Sequence, residues 1–379
     1  MKHAIISGGG IGGLALAAGL LRTGWRVTVV ERTPTWRPLG AGIILGPHAI
    51  AVCDALGFTR HLAQHNEIPR LTIESAQGHT LGGAEHPYWT FHRADLHAGL
   101  LGALGQRATI HMGTTVSAIH SDGATLSSGE RLTADLVVGA DGIRSGVRTL
   151  IAPSVVPRYA GYTCWRFVGP CGGDLDAAVE MWAPGLRLGL VPLSGQRTYV
   201  FACANEPAGG TDPEDAWTPF VERFSVFERG RAHLRAAQQA GGPLLRNDIE
   251  ELAAPCWGSG LVALLGDAAH AMTPNTGSGA AMALEDALAL CLSLDEHTEL
   301  SAALAAYRSR RHSRIVAAAR NARMIGVIGQ WSGRWSTWLR DRAMAAVPAQ
   351  FNERQMMAMF LPGLQLAQEG RARLAAHPE

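Results

Sequence analysis

An apolar strand, Ala4-Ile5-Ile6, runs into Ser7-Gly8-Gly9-Gly10-Ile11-Gly12-Gly13 and then into a helix predicted over Leu14 to Leu21. This order constrains the fold more than any other stretch, because a strand, a glycine turn and a helix in succession form the cradle of a dinucleotide pyrophosphate. Gly8 permits the turn, Gly10 admits phosphates close to the backbone, and Gly13 lets the helix lie tight on the strand, with Gly12 also in the candidate nucleotide-binding set. A second strand, Arg26-Val27-Thr28-Val29-Val30, ends at Glu31, where a carboxylate can accept hydrogen bonds from an adenosine ribose. A glycine triplet alone is equally an ordinary tight turn; strand, helix and acid together favour nucleotide binding. Which dinucleotide stays open here, since nicotinamide and flavin nucleotides share the adenosine diphosphate half.

The 379 residues exceed one ordinary core and suit two domains or an interleaved pair. With 47% hydrophobic and 17% charged residues, the chain has ample material for a core. A formal net charge of +1 gives no electrostatic footprint for nucleic acid, and Arg308-Ser309-Arg310-Arg311 reads as a solvated helix face. The six cysteines form no CxxC pair and no metal-ligand spacing, so no metal is expected and buried thiols in the cytoplasm are. No apolar run reaches the roughly 18 residues of a membrane span.

The nucleotide fold then breaks off. Gly40-Ala41-Gly42-Ile43-Ile44 reads as a loop, His48 to Leu56 as a helix, and Leu71-Thr72-Ile73-Glu74 with Thr80-Leu81 as a hairpin about Gln77-Gly78. Arg93 opens a helix with Leu96, Leu100, Leu101 and Leu104 at helical spacing. Short strands follow, and Leu136-Val137-Val138-Gly139-Ala140, apolar on both faces, reads as a central parallel strand running into Asp141-Gly142. Alternating segments between Tyr159 and Cys256 predict an inserted antiparallel sheet. Leu261 to Leu265 is another buried strand, delivering Gly266-Asp267-Ala268-Ala269-His270 to its C-terminal end, and a long helix is expected from about Ala280 to Leu294. The expected class is α/β with an α+β insert: a Rossmann-like part from 1–70, 92–156 and 258–330, a substrate part from 71–91 and 157–257, and a helical segment 331–379. Trp331 to Phe360, rich in Trp, Met and Arg, is expected to pack over the nucleotide fold.

Three ordered motifs then select a family. Gly8-x-Gly10-x-x-Gly13, Asp135 to Ser145 with Arg148, and Gly266-Asp267-Ala268-Ala269-His270 through Pro274 and Gly277 together make the chain resemble the flavoprotein aromatic hydroxylases, single-component FAD monooxygenases with the fold of p-hydroxybenzoate hydroxylase. The resemblance implies FAD as cofactor and NADPH or NADH as electron donor. It also implies O₂, whose flavin C4a-hydroperoxide hydroxylates or epoxidises an aromatic or polycyclic small molecule. It puts Asp267 on the ribityl chain, Arg93 on the phosphate and ribityl region, and Asp141-Gly142 near both nucleotides. Gly277, Ser278, Gly279, Ala280 and Ala281 open a helix whose free N–H groups suit the flavin pyrimidine edge. Arg32, Ile44, Val116 and Gly266 complete the candidate cofactor set. Many members carry Gln at the position of Ser278 and often Asn at that of Ala281, so side-chain contacts there differ. His270 is read as a structural histidine.

The candidate substrate-facing set is Arg187, Tyr199 and Pro274. In this region the chain is similar to FAD-dependent urate hydroxylases, whose matching arginine and tyrosine face the substrate; the arginine would orient an oxo-rich ring and the tyrosine hydrogen-bond it or assist deprotonation. Bracing of the sheet is the competing role for both. The alternatives kept open are an FAD oxidoreductase of the same fold without oxygen insertion and a urate-type hydroxylase. The expected assembly is a monomer or homodimer.

Overall fold

The computed structural model describes residues 1–36 and 41–375; Gly40 of the expected loop and the last residues of the C-terminal segment lie outside them. A five-stranded parallel sheet runs in the order Val262–Leu264, Leu136–Gly139, His3–Ser7, Arg26–Glu31, Thr109–Met112. Leu136–Gly139 lies inside that sheet, paired in parallel on both sides, which explains its apolar faces. The helix Ile11–Arg22 is built almost wholly of Gly, Ala and Leu, so it buries against the sheet and against the helix Gly279–Glu296. The approach is close: a Cβ on Gly19 would lie 2.5 Å from Cys291 Sγ.

The insert forms a seven-stranded sheet ordered Leu245–Glu251, Arg158–Pro170, Arg197–Ala204, Leu186–Leu193, Ala178–Ala183, Leu71–Ser75, Thr80–Ala84. All its pairs are antiparallel except Ala178–Ala183 with Leu71–Ser75. The hairpin about Gln77-Gly78 is therefore the far edge of the inserted sheet, with Gly78 at φ +84° in its turn. Side chains alternate across this sheet. Leu188, Leu190, Val200, Ala202 and Ala204 pack under the helices Trp217–Phe224 and Arg231–Ala240 through Phe220, Phe224 and Leu234. The opposite face presents Arg187, Tyr199, Phe201 and Cys203. Phe201 lies flat across Gly189, where a Cβ would sit 2.0 Å from its ring.

Two expectations are corrected. Gly42–Leu45 is a strand, not a loop, because Tyr88–His92 pairs with it antiparallel, and Asn66–Ile68 takes the other side of Tyr88–His92. Tyr88–His92, falling mostly in the span assigned to the inserted sheet, thus belongs to this separate three-stranded sheet. The C-terminal helices Leu300–Gly329, Arg334–Ala345 and Ala349–Leu374 are only partly a covering layer. Phe360 is buried, whereas Trp335 and Leu339 are 79% and 60% exposed. None of the described helices is long and apolar enough to cross a membrane.

The glycine turn owes its shape to backbone crowding. A Cβ on Gly13 would lie 2.0 Å from the Gly8 carbonyl oxygen, while one on Gly10 meets nothing within 4 Å. Gly13→Ala is therefore expected to lower the unfolding free energy by about 2 kcal/mol or more, and Gly10→Ala by less than about 1 kcal/mol. Urea denaturation of the two apoproteins checks the contrast.

Candidate active site

The C-terminal ends of three neighbouring parallel strands meet in three glycine turns. Gly8 N donates to Val30 O (2.8 Å), Ala140 N to Ser7 O (2.7 Å) and Leu265 N to Gly139 O (3.0 Å). Gly8, Gly142 and Gly266 all have positive φ, at +111°, +80° and +57°. Arg148, fully buried, fastens two of the turns: it donates to Ile143 O (2.5 Å), Val155 O (3.1 Å) and Ala268 O (2.9 Å). Asp141 does not point outward. Its carboxylate accepts from the Ser145 hydroxyl (2.5 Å) and Val147 N (3.2 Å), so it braces the start of the helix Gly146–Ile151.

What faces the crevice above these turns is a set of donors and one acid. The helices Ile11–Arg22 and Gly279–Glu296 both begin without a capping side chain or an acidic residue in the first turn. Their free N–H groups and positive dipole ends attract negative charge. Gly10, Gly277 and Gly279 have no atom within 4 Å of where a Cβ would stand, so a ligand can reach their backbone. Asp267 follows Gly266 and is open to solvent, while Ala268, Ala269 and His270 beside it are buried. Protein crowds its carboxyl on the remaining sides, and that loss of water raises its pKa above the usual carboxylate range; His270 and Arg93 pull it partly back. Arg93, itself exposed, thus lies within electrostatic reach of Asp267.

Glu31 stands by the first turn, accepting from Gly9 N (2.9 Å), Thr33 N (2.9 Å) and the Thr33 hydroxyl (3.0 Å). Sequence reasoning missed its neighbours. The Trp36 ring covers Gly9, where a Cβ would approach it to 2.5 Å, and His97 Nε2 lies 2.7 Å from Gly9 O. Arg32 is exposed, Val116 is buried beside Val30, and Ile44 packs with Tyr199 around Phe360.

Behind Asp267 lies a buried ionic cluster that the motifs did not announce. Asp286 accepts from Gly266 N (2.9 Å) and His270 Nε2 (2.5 Å) on one oxygen and from Arg311 Nε (2.7 Å) on the other. Glu285 pairs with Arg311 (2.5 Å) and Arg314 (3.1 Å). Burial alone would raise the Asp286 carboxyl, yet His270 and Arg311 bring it down to about 2. His270 is accordingly a strut beneath the turn. Burial lowers His48, near Glu285, to about 4.

On the inserted sheet Arg187 is 1% exposed and every arm is engaged: Nε with Gln330 Oε1 (2.8 Å), Nη1 with Glu180 Oε1 (3.1 Å), Nη2 with Asn275 Oδ1 (2.6 Å). It also stacks on Tyr162 at 5.2 Å. Asn275, unforeseen from the sequence, follows exposed Pro274 and takes a second hydrogen bond from the Tyr162 hydroxyl (3.0 Å). Its amide donates to Ala322 O (2.8 Å). Tyr199 is not part of this knot. It is paired with Val191, whereas Arg187 is paired with Cys203, so four residues, roughly 13 Å of strand, separate the two along a shared face. Burial raises the Tyr199 phenol well above its usual value, leaving it a hydrogen-bond donor at neutral pH and not a base.

Over residues 2–322 the chain matches the FAD binding domain family. It belongs to that family. It is 35% identical over 376 residues to the 2-heptyl-3-hydroxy-4(1H)-quinolone synthase of Pseudomonas aeruginosa, covering 94% of this chain and 97% of that one. It is 38% identical over 361 residues to the aurachin C monooxygenase/isomerase of Stigmatella aurantiaca, covering 90% and 93%. In fold it resembles Klebsiella pneumoniae HpxO, solved with FAD and uric acid, at TM-score 0.86 and 24% identity over 96% of this chain and 97% of that one. The family member described here is an FAD-dependent monooxygenase of aromatic or heterocyclic rings that uses NAD(P)H and O₂.

Asp286, held at about 2 against the usual 3.8, contributes stability that is complete above about pH 4 and is lost as the pH falls toward 2. Asp286→Asn removes that acid dependence and leaves Arg311 short of a partner, at an expected cost of about 3 kcal/mol. Unfolding curves of both proteins between pH 2 and 7 check the sign and the size.

Proposed function

We propose that this monooxygenase hydroxylates an oxo-substituted nitrogen heterocycle of the 4-quinolone type at the ring carbon beside the oxo carbon. The observation that carries this is the 35% identity, spread over nearly the whole of both chains, to an enzyme named for making a 3-hydroxy-4(1H)-quinolone. The balance is one NAD(P)H, one proton, one O₂ and the ring C–H giving NAD(P)⁺, water and the ring C–OH. FAD, when bound, supplies the activated oxygen atom.

The donor set of the crevice fits such a cofactor. In this reading Gly8, Gly10, Gly12 and Gly13 receive the pyrophosphate at the helix N-terminus, and Glu31 takes the adenosine ribose with Arg32 and Val116 alongside. Asp267 holds the ribityl hydroxyls and Arg93 neutralises phosphate charge. The backbone N–H groups of Gly279, Ala280 and Ala281, behind Gly277 and Ser278, stabilise negative charge on the pyrimidine edge. Ile44 borders the flavin ring, and Asp141, Gly142 and Gly266 shape the turns beneath it. Pro274 borders the substrate. Arg187 acts as a positioning residue that fixes Asn275, and Tyr199 donates a hydrogen bond from the far end of the same face. Residues 1–70, 92–156 and 258–330 make the FAD-binding part, joined by the strand Tyr88–His92, and the rest of 71–91 with 157–257 the substrate part, with 331–379 as a helical addition. The enzyme works in the cytoplasm as a monomer or homodimer; its six free thiols accord with a reducing compartment.

Purified protein is expected to be yellow, to oxidise NAD(P)H faster with a 4(1H)-quinolone present, and to yield a product heavier by one oxygen. NAD(P)H oxidation that no nitrogen heterocycle stimulates would overturn the substrate assignment. Asp267→Ala is expected to weaken FAD binding by at least tenfold, the loss of a charge-assisted hydrogen bond, with little change in folding, as read by flavin fluorescence on dilution and by far-UV circular dichroism. Arg187→Ala leaves Gln330 Oε1 without its donor and Glu180 and Asn275 each with one donor fewer, so it should raise the substrate KM and cost about 3 kcal/mol of stability while FAD content stays near one per chain.

A further inference from the structure

The C-terminal helices hold bulky apolar side chains in solvent. In Arg334–Ala345 the face turned to the protein carries Thr337 and Arg340, the latter 2% exposed and stacked on Trp182 at 5.2 Å. On the outward face Trp335, Trp338 and Leu339 stand at helical spacing with Arg342, and all four are exposed. The apolar run goes on through the exposed turn residues Ala346, Val347 and Pro348 to Phe351, which is 51% exposed near the start of Ala349–Leu374. Both helices pack against the edge strand of the inserted sheet, Thr80–Ala84. Rings and aliphatic groups gathered in this way are costly to leave in water.

The charge beside them has one sign. Asp341 is held by Arg340 (2.8 Å), and Glu353 accepts from Glu85 N (2.7 Å) and pairs with His86 (2.9 Å). Arg334, Arg342 and Arg354 are exposed and pair with no carboxylate among the described residues. Arg342 lies over the Trp338 ring, at 5.3 Å. The indole N–H groups of Trp335 and Trp338 also have no protein acceptor among the described residues, whereas those of Trp89, Trp165, Trp182, Trp217 and Trp257 each have one.

We propose that the outward face of Arg334–Ala345, with the turn that leads to Phe351, seats the enzyme on an anionic lipid surface. A second copy of the chain docked through the same face would set these cations against one another with no unpaired acid to separate them. Anionic headgroups meet both halves of the patch: phosphates take the guanidinium and indole N–H groups, and the acyl boundary takes the rings and Leu339. None of the described helices can cross a bilayer, so the helix lies in the plane of the surface. The inference is independent of which ring the enzyme hydroxylates.

The test mixes the FAD-loaded enzyme with vesicles of phosphatidylcholine alone, or of phosphatidylcholine with an equal part of phosphatidylglycerol. Bound protein is measured by flotation, and the oligomeric state without lipid by analytical ultracentrifugation. Binding to the anionic vesicles is expected to be at least about tenfold stronger than to the neutral ones and to weaken as salt rises. Trp335→Ser with Leu339→Ser should lower it at least roughly tenfold through lost apolar contact. Each cation near an anionic surface contributes about fivefold, so Arg334→Gln with Arg342→Gln should weaken binding to anionic vesicles roughly twentyfold and leave neutral vesicles unaffected. Both double variants are expected to keep their FAD content and their NAD(P)H oxidation without vesicles. Equal binding to the two vesicles, no binding to either, or binding that neither double variant weakens overturns the proposal. So does a dimer in solution that Trp335→Ser with Leu339→Ser breaks while vesicles capture no protein, since the patch then belongs to a second copy.

Discussion

The carboxylate of Asp286 is the constraint on which the site depends. It holds the Gly266 N–H, the His270 ring and the Arg311 guanidinium at once, all out of contact with water. Gly266 sits at positive φ, so the turn has few other ways to be pinned, and the direction of Asp267 follows from it. Arg148 then joins this turn to the Asp141-Gly142 turn by its bond to Ala268 O. Two buried charges, each saturated by partners, thus join two of the strand ends into one rigid rim. An ion cluster of this kind adds modest net stability, since desolvation offsets much of the attraction, but removing one member leaves its partner unpaired in a medium that solvates it badly.

Much of this rim was legible in the amino-acid sequence because glycine carries a steric code. Gly8, Gly13 and Gly266 are each required by a backbone approach or a positive φ, and such requirements fall at fixed spacing after a strand. The central parallel place of Leu136–Gly139 followed from its doubly apolar faces. What escaped was set by distant partners. Gly42–Leu45 is a strand only because Tyr88–His92 lies beside it, and nothing local distinguishes it from a glycine-rich loop. Asn275, Tyr162 and Gln330 meet Arg187 from three remote parts of the chain, so no spacing rule brings them together. Arg187 and Tyr199, read as substrate-facing residues on adjacent strands, lie four residues apart along the shared face, a spacing that only the strand register fixes.

The inserted sheet has two unlike faces, and the difference divides labour. One is sealed by aromatic side chains of two amphipathic helices and is pure core. The other carries the Arg187 knot and the Tyr199 ring, and through Arg187 and Asn275 it meets the segment that follows the Gly266 turn. Burial of Tyr199 and Tyr162 keeps both phenols protonated at neutral pH, so this face offers donors whose state does not vary across the physiological range.

The strand order of the parallel sheet also dictates when the molecule can finish folding. Val262–Leu264 pairs with Leu136–Gly139 at the edge, and Arg311 reaches Asp286 only after that strand has been laid down. During synthesis the N-terminal strands emerge long before their last neighbour, leaving one side of Leu136–Gly139 with unpaired backbone groups while the whole inserted sheet is being made. An exposed apolar edge of that kind invites pairing with other chains. Late closure by residues far along the chain makes this a slow-folding topology, one whose expression should respond to growth temperature and to chaperone supply more strongly than its finished stability would suggest.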